Sequence, residues 1–270
     1  MSTCYKDFSV VIEYSNGTSG VIHGATVSID EGIELQTMES LGGKGRSSVF
    51  NSSITQGSLT VDGLLTESGV FARDEYGSLQ LQGSNDQNIQ IKAGPYTLPK
   101  PCIMDSTSMN ISVGSPVSFS QSFSFFGPIS GGGSQEMGKD GTIGAVIPSN
   151  VSMSGYENIG GENVISNVSW GLSQDYETVN LLGHPIPSVI FKGGQKTLSI
   201  DGYGLTMPLA APEDGKVCVI PPKDYALSLS GCDWSEVQSF PITNGYMTQR
   251  SLSIQAGGEQ ETSVSIVQYL

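Results

Sequence analysis

Charge is scarce in this chain. Only 14% of its 270 residues are Asp, Glu, Lys or Arg, against roughly a quarter in ordinary globular domains. Long solvated helices rely on Glu/Lys-rich faces, so the shortage argues against a helical fold. Histidine is nearly absent, with His23 and His184 the only two, and neither lies in an H-x-x-x-H or H-E-x-x-H pattern. Cys4, Cys102, Cys218 and Cys232 form no C-x-x-C pair. No zinc site is therefore expected, and the thiols read as free and buried, although Cys218 and Cys232 flank a candidate hairpin. No apolar run approaches the roughly 18 residues of a membrane span. The opening Met1-Ser-Thr-Cys-Tyr-Lys-Asp lacks the basic and apolar stretches of a signal peptide, so none is expected. Cations are few as well. Twelve Lys and Arg against 26 Asp and Glu give a net charge of −14, which disfavours a grip on nucleic-acid phosphates but suits a surface past which nucleic acid slides.

Glycine, at 35 residues, and abundant Ser and Thr point instead to strands joined by turns. Short alternating runs predict strands at Phe8–Tyr14, Val21–Ile29, Ile33–Leu41, Ser58–Val61, Ser78–Leu81, Asn88–Lys92, Met109–Val113 and Val117–Phe126. In the last run Val117, Phe119, Phe123 and Phe125 share a face, with Ser or Gln expected opposite. The closing Ser263–Tyr269 alternates in the same way and is expected inside a sheet. Asn16-Gly17, Asp62-Gly63, Asp201-Gly202 and Asn244-Gly245 read as tight turns. Helix is confined to two short candidates, Leu65–Tyr76 and Asp233–Ser239.

The chain also aligns on itself. Ala25–Gly42 falls without gaps on Ser166–Gly183, which matches Val27-Ser28 to Val168-Ser169, Thr37 to Thr178 and Leu41-Gly42 to Leu182-Gly183. Ser58–Gly63 then matches Thr197–Gly202, and Ile89–Ile91 matches Leu227–Leu229. Ile111–Val113 falls on Leu252–Ile254, and Ser122–Phe125 on Ser263–Ile266. Five matches in one order indicate a duplication. The Gly-rich Gly127–Gly141 has no periodicity and reads as a flexible linker. The expected fold is all-β: two tandem β-sandwich or partly closed barrel domains with little helix. The first copy spans 1–127, the linker 128–141 and the second copy 142–270.

No motif carries chemistry. Gly133–Asp140 imitates a phosphate loop, but Asp140 stands where Ser or Thr is required and would repel phosphate. No G-x-S-x-G elbow accompanies the histidines. Asp30-Glu31 and Asp74-Glu75 lack calcium-loop or glycosidase spacing and read as solvated turns. Sequons at Asn16, Asn51, Asn110, Asn150 and Asn167 are incidental in so Ser-rich a chain. Gly42-Gly-Lys-Gly-Arg46 is a small basic patch, either an exposed hairpin tip or a loop reaching an acidic neighbour. No catalytic, cofactor-binding or metal-ligating residue is therefore expected, and the chain is not expected to be an enzyme.

The repeated pattern is a V-S-[I/W] strand, a polar run, an apolar strand ending in Leu-Gly, and a strand ending in Asp-Gly. With the closing Ile111–Phe125 it resembles the tail tube proteins of long-tailed bacteriophages. The resemblance implies a β-sandwich subunit that joins sheets around a ring, with stacked rings forming a conduit for genome ejection. A two-domain chain would make trimeric, pseudo-hexameric rings. It also implies a place in the virion tail after synthesis in the host cytoplasm. The implied partners are further copies of itself, tape measure, terminator and baseplate or hub proteins, and DNA only in transit; no membrane and no cofactor are expected. Val21–Leu41 and Val164–Leu182 are the segments expected to pair between neighbours. The alternative is a carbohydrate-binding, adhesin or decoration module of a virion, which would need clustered exposed aromatics. Trp170 and Trp234 do not match in the repeat.

Overall fold

A computed structural model describes residues 9–13, 19–32, 35–39, 46–51, 55–64, 90–131, 147–148, 150–154, 164–181, 184, 186–203, 222–230, 238–254 and 260–270. They are all-β, with no helix among them. The first half contributes β1 (Ser9–Glu13), β2 (Ser19–Gly32), β3 (Leu35–Glu39), β4 (Arg46–Asn51), β5 (Gln56–Leu64), β6 (Gln90–Ala93), β7 (Tyr96–Thr97), β8 (Cys102–Ser112), β9 (Ser118–Phe126) and β10 (Ser130–Gly131). The second contributes β11 (Asn150–Ser154), β12 (Val164–Val179), β13 (Ser188–Tyr203), β14 (Lys223–Ser230), β15 (Gln238–Ile254) and β16 (Gln260–Tyr269). The helix candidate Leu65–Tyr76 and the strand candidate Ser78–Leu81 lie outside the described residues. So does Asp233–Ser239, except that Gln238 and Ser239 open β15 and are extended.

One ladder runs through both halves in the order β10-β7-β6-β1-β2-β5-β9-β8-β12-β13-β16-β15-β14-β11, and it does not close into a barrel. The halves repeat the same succession. In the first, β2 pairs β5, β5 pairs β9 and β9 pairs β8; in the second, β12 pairs β13, β13 pairs β16 and β16 pairs β15. The small hairpin β3·β4 corresponds to the outer part of β12·β13, where Tyr176 faces Phe191. In the second half this arm continues its parent strands through a bulge at Asp175/Tyr176.

The bulges recur at matching places. One lies at Gly24/Thr26, opposite Gly63 and Asp62, and its counterpart at Ile165/Asn167, opposite Gly202 and Asp201. Another lies at Met104/Ser106, opposite Phe123 and Ser122, and its counterpart at Met247/Gln249, opposite Ile266 and Ser265. An extra residue bends and twists a strand and leaves its ladder locally unpaired, so a repeated bulge is a feature of the fold. Bulges also correct the sequence alignment. Phe123 corresponds to Ile266 and Met109 to Leu252, two residues away from the match of identities. The Ser-rich alternation looks alike when slid by two, because the strand period is two.

Three of the expected turns are not turns. Asp62-Gly63 lies within β5 and Asp201-Gly202 within β13, each across from a bulge. Asn244-Gly245 lies inside β15, where Asn244 takes φ 53° and its N–H donates to Asp224 Oδ1 at 2.8 Å. A Cβ at Gly245 would meet Ile242 Cγ2 at 2.8 Å and Ile266 Cγ2 at 3.0 Å, so the glycine there permits close packing. Asn16-Gly17 lies outside the described residues. At the start of the expected linker, the Gly127 N–H donates to Thr55 O at 2.7 Å and β10 pairs β7, which ties 127–131 to the first half.

The core lies on one face of the ladder. A buried row crosses both halves through Phe119, Met109, Trp170, Leu198, Ile266 and Met247, each opposite the next. Val10 and Ile12 of β1, Ile91 and Ala93 of β6, and Tyr225 and Leu227 of β14 are buried in the same cluster, so the flanking strands cover that face. Gln121, expected opposite the phenylalanines, lies among them at 1% exposure. Its Nε2 donates to Thr107 Oγ1 at 3.1 Å across the β8·β9 pair, while its Oε1 is buried without a hydrogen bond.

Candidate functional site

The other face of the ladder is polar in a particular way. Residues in register stand side by side on one face. Ser28, Thr60, Ser122, Ser106, Ser173 and Gln195 form one such row across six strands. A second row runs Ser118, Asn110, Ser169, Ser199, Ser265 and Gln249, and a third Ser112, Asn167, Asp201, Ser263 and Ser251. The hydroxyls bond along the rows: Ser106 Oγ lies 2.9 Å from Ser122 Oγ, and Ser112 Oγ donates to Asn167 Oδ1 at 3.0 Å. Asp201 accepts from Ser263 Oγ and, at 3.4 Å, from Asn167 Nδ2. The formal charges in or beside these rows, among the described residues, are carboxylates, including Asp30, Asp62, Asp175, Asp201 and Glu261. None of the rows contains Lys or Arg. The third row opens at its β15 end into a groove of about 320 Å³, lined by Ser251, Ser253, Glu261 and Asp201 among others.

Both faces cross the boundary between the halves without interruption because β8 pairs β12 over seven positions, from Asn167↔Ser112 to Ser173↔Ser106. Val164–Leu182 was expected to meet a neighbouring chain, yet the middle of β12 is occupied by β8 of its own chain. In β2 the stretch from Gly24 to Gly32 pairs β5 on one side and has no partner strand on the other among the described residues. The same holds for the far edge of β15 beyond Gly245, where β14 ends. Among the described residues, these open stretches of β2 and β15 are the counterparts of the β12 and β8 edges that meet inside the chain.

A second contact clamps the boundary. Asp105, at the β8 bulge, accepts from Tyr176 Oη at 2.7 Å and from Ser124 Oγ at 2.8 Å. Burial pushes the Asp105 carboxyl above its ordinary range, against the lowering effect of those two hydrogen bonds. Burial also pushes Tyr176 up to about 12. Beside them Ile103, Phe126 and Val189 form a small apolar cluster with Tyr176 and Phe191, whose rings meet edge to face at 6.4 Å. No sequence pattern announced this clamp, since its members come from three separate strands and include only one charge.

The residues weighed from sequence disperse. His23 lies in β2, paired with Ser9, and His184 on a turn where its N–H donates to Leu181 O. Asp30 and Glu31 lie in strand β2 rather than a turn, and as neighbours they point to opposite faces. Trp170 is core, 7% exposed, and offers no ring to a sugar. Cys102 is a free buried thiol pushed up to about 12 by desolvation. Cys4, Cys218, Cys232, Trp234, Asp74-Glu75 and Gly133–Asp140 lie outside the described residues. Arg46 opens β4, opposite Glu39 across the hairpin, while Lys44 lies outside them. Neither a protein-family model nor a curated protein matches the chain.

Proposed function

We propose that this chain is a structural subunit of a hollow assembly, the tail tube of a long-tailed bacteriophage. Its expected partners are further copies of itself and the other tail proteins, with DNA as a passing cargo. The observation that carries the reading is the sheet face shared by both halves, lined by rows of Ser, Thr and Asn with carboxylates as the charges in or beside them. Such a wall offers DNA hydration and mild repulsion. It lacks the Lys and Arg contacts that would release counterions and hold phosphates in place. The chain's balance of 26 acids to 12 bases points the same way.

The test is electron microscopy of the purified chain over a range of concentrations. Hollow stacked rings with the hydroxyl rows on the inner wall are the expected result. A protein that stays monomeric, or tubes with these rows facing outward, would remove the reading.

A further inference from the structure

The internal boundary predicts an external one. In the β8·β12 joint, Met109 faces Trp170 and Ile111 faces Val168, and Met109, Ile111 and Val168 are fully buried. Shared bulges place Leu252 where Met109 stands and Ile254 where Ile111 stands, but on β15 these two side chains are 49% and 75% exposed. The counterparts of Val168 and Trp170 are Val27 and Ile29, which reach the core yet remain only partly buried. Each free edge thus presents the apolar pair that its counterpart buries inside the chain.

Charge supplies an independent observation. The core-face row Ile111, Val168, Ile200 and Val264 ends at Arg250, on the free edge of β15. Arg250 has no ion-pair partner among the described residues, and its Nε is buried without a hydrogen bond. On the core side of the β2 edge stands Glu31, exposed, whose hydrogen-bond contact among the described residues is the Ile129 N–H at 3.4 Å. When the register of the internal joint is carried to the free edges, Arg250 falls opposite Glu31. Leu252 then falls opposite Ile29, Ser253 opposite Ser28 and Ile254 opposite Val27.

We infer that β15 of one chain pairs antiparallel with β2 of a second copy in this register, with Arg250–Glu31 as its ion pair. The two edges differ, so the contact is head-to-tail; it leaves one edge of each kind free and propagates until a ring closes. Inward charges on open edges block indiscriminate strand pairing, and here the opposite edge neutralises them. The inference deepens the assembly reading above and rests on it for ring closure and stacking.

Charge exchange tests it. Arg250→Glu and Glu31→Arg should each raise the concentration needed for assembly at least about tenfold, since a like-charge pair at an interface costs several kcal/mol. The combined exchange should bring it back to within about threefold of the parent. Sedimentation velocity reads the assembly, and thermal unfolding of the dilute chain confirms that each variant folds. Rings insensitive to the single exchanges, or a double variant no better than the singles, would overturn the joint while leaving the tube reading intact. Head-to-tail oligomers that follow the charge pattern but never stack into tubes would support the joint and overturn the tube. A parent chain monomeric at every concentration would overturn both.

Discussion

The Tyr176 hydroxyl donates to Asp105 Oδ1 at 2.7 Å, binding the arm of the second half to the bulge of the first. A hydrogen bond to a carboxylate contributes about 1.5–3 kcal/mol when buried, and partial exposure here reduces that. Tyr176→Phe should cost about 1–2 kcal/mol in chemical denaturation, with the all-β far-UV signature unchanged.

The same pair sets a pH dependence. A carboxyl raised above its ordinary value favours the neutral form in the folded chain, so its contribution is complete below the ordinary carboxylate pKa. It is lost as pH rises through the raised value. Asp105→Asn should flatten that decline in the melting temperature between mildly acidic and neutral pH. At the alkaline end, Tyr176 held at about 12 loses its contribution from roughly pH 10 upward, and Tyr176→Phe should remove that part of the profile.

Matching positions in the two halves should respond differently to truncation. Ile111→Ala opens a cavity in a filled core and should cost about 2–5 kcal/mol in the dilute chain. Ile254→Ala removes an exposed side chain and should stay within about 0.5 kcal/mol, while weakening assembly. A large cost for both in the monomer would mean that the β15 edge is already covered.

Gly57 tolerates no side chain. A Cβ there would run into the Phe125 ring and reach 2.5 Å from the Asp30 carbonyl oxygen. Gly57→Ala should destabilise by about 1–3 kcal/mol, the range of core overpacking, read by thermal or denaturant unfolding.

Asp62 faces Ser120 on the polar face. Replacing both with Lys should leave folding intact and confer DNA retention that falls steeply with salt, measured by binding at two ionic strengths. Equal indifference to DNA in parent and variant would count against a conduit wall.

Much of this architecture could be read from the chain. Alternation placed β1, β2, β8, β9 and β16, because one buried face imposes a period of two. Repeated Val-Ser and Asp-Gly pairs exposed the duplication. What misled was glycine: Gly63, Gly202 and Gly245 announced turns but sit inside strands, two across from bulges and one where Ile242 and Ile266 press on the backbone. Gln121 was misassigned for a related reason. Position 121 shares the period-two face of Phe119 and Phe123, and there Thr107 takes one amide hydrogen while Oε1 stays without a partner. The clamp of Asp105, Tyr176 and Ser124 depends on contacts across long separations and left no local trace.

The β8·β12 joint has a kinetic consequence. Because both of its strands belong to one polypeptide, dilution cannot separate them, and their effective local concentration is set by the chain alone. In a ring built from such chains, every second seam is present before any two molecules meet. Only half of the seams then have to form between molecules, against all of them in a ring of single repeats. The covalent seam and the diffusive seam are also free to diverge, one toward permanence and the other toward timing.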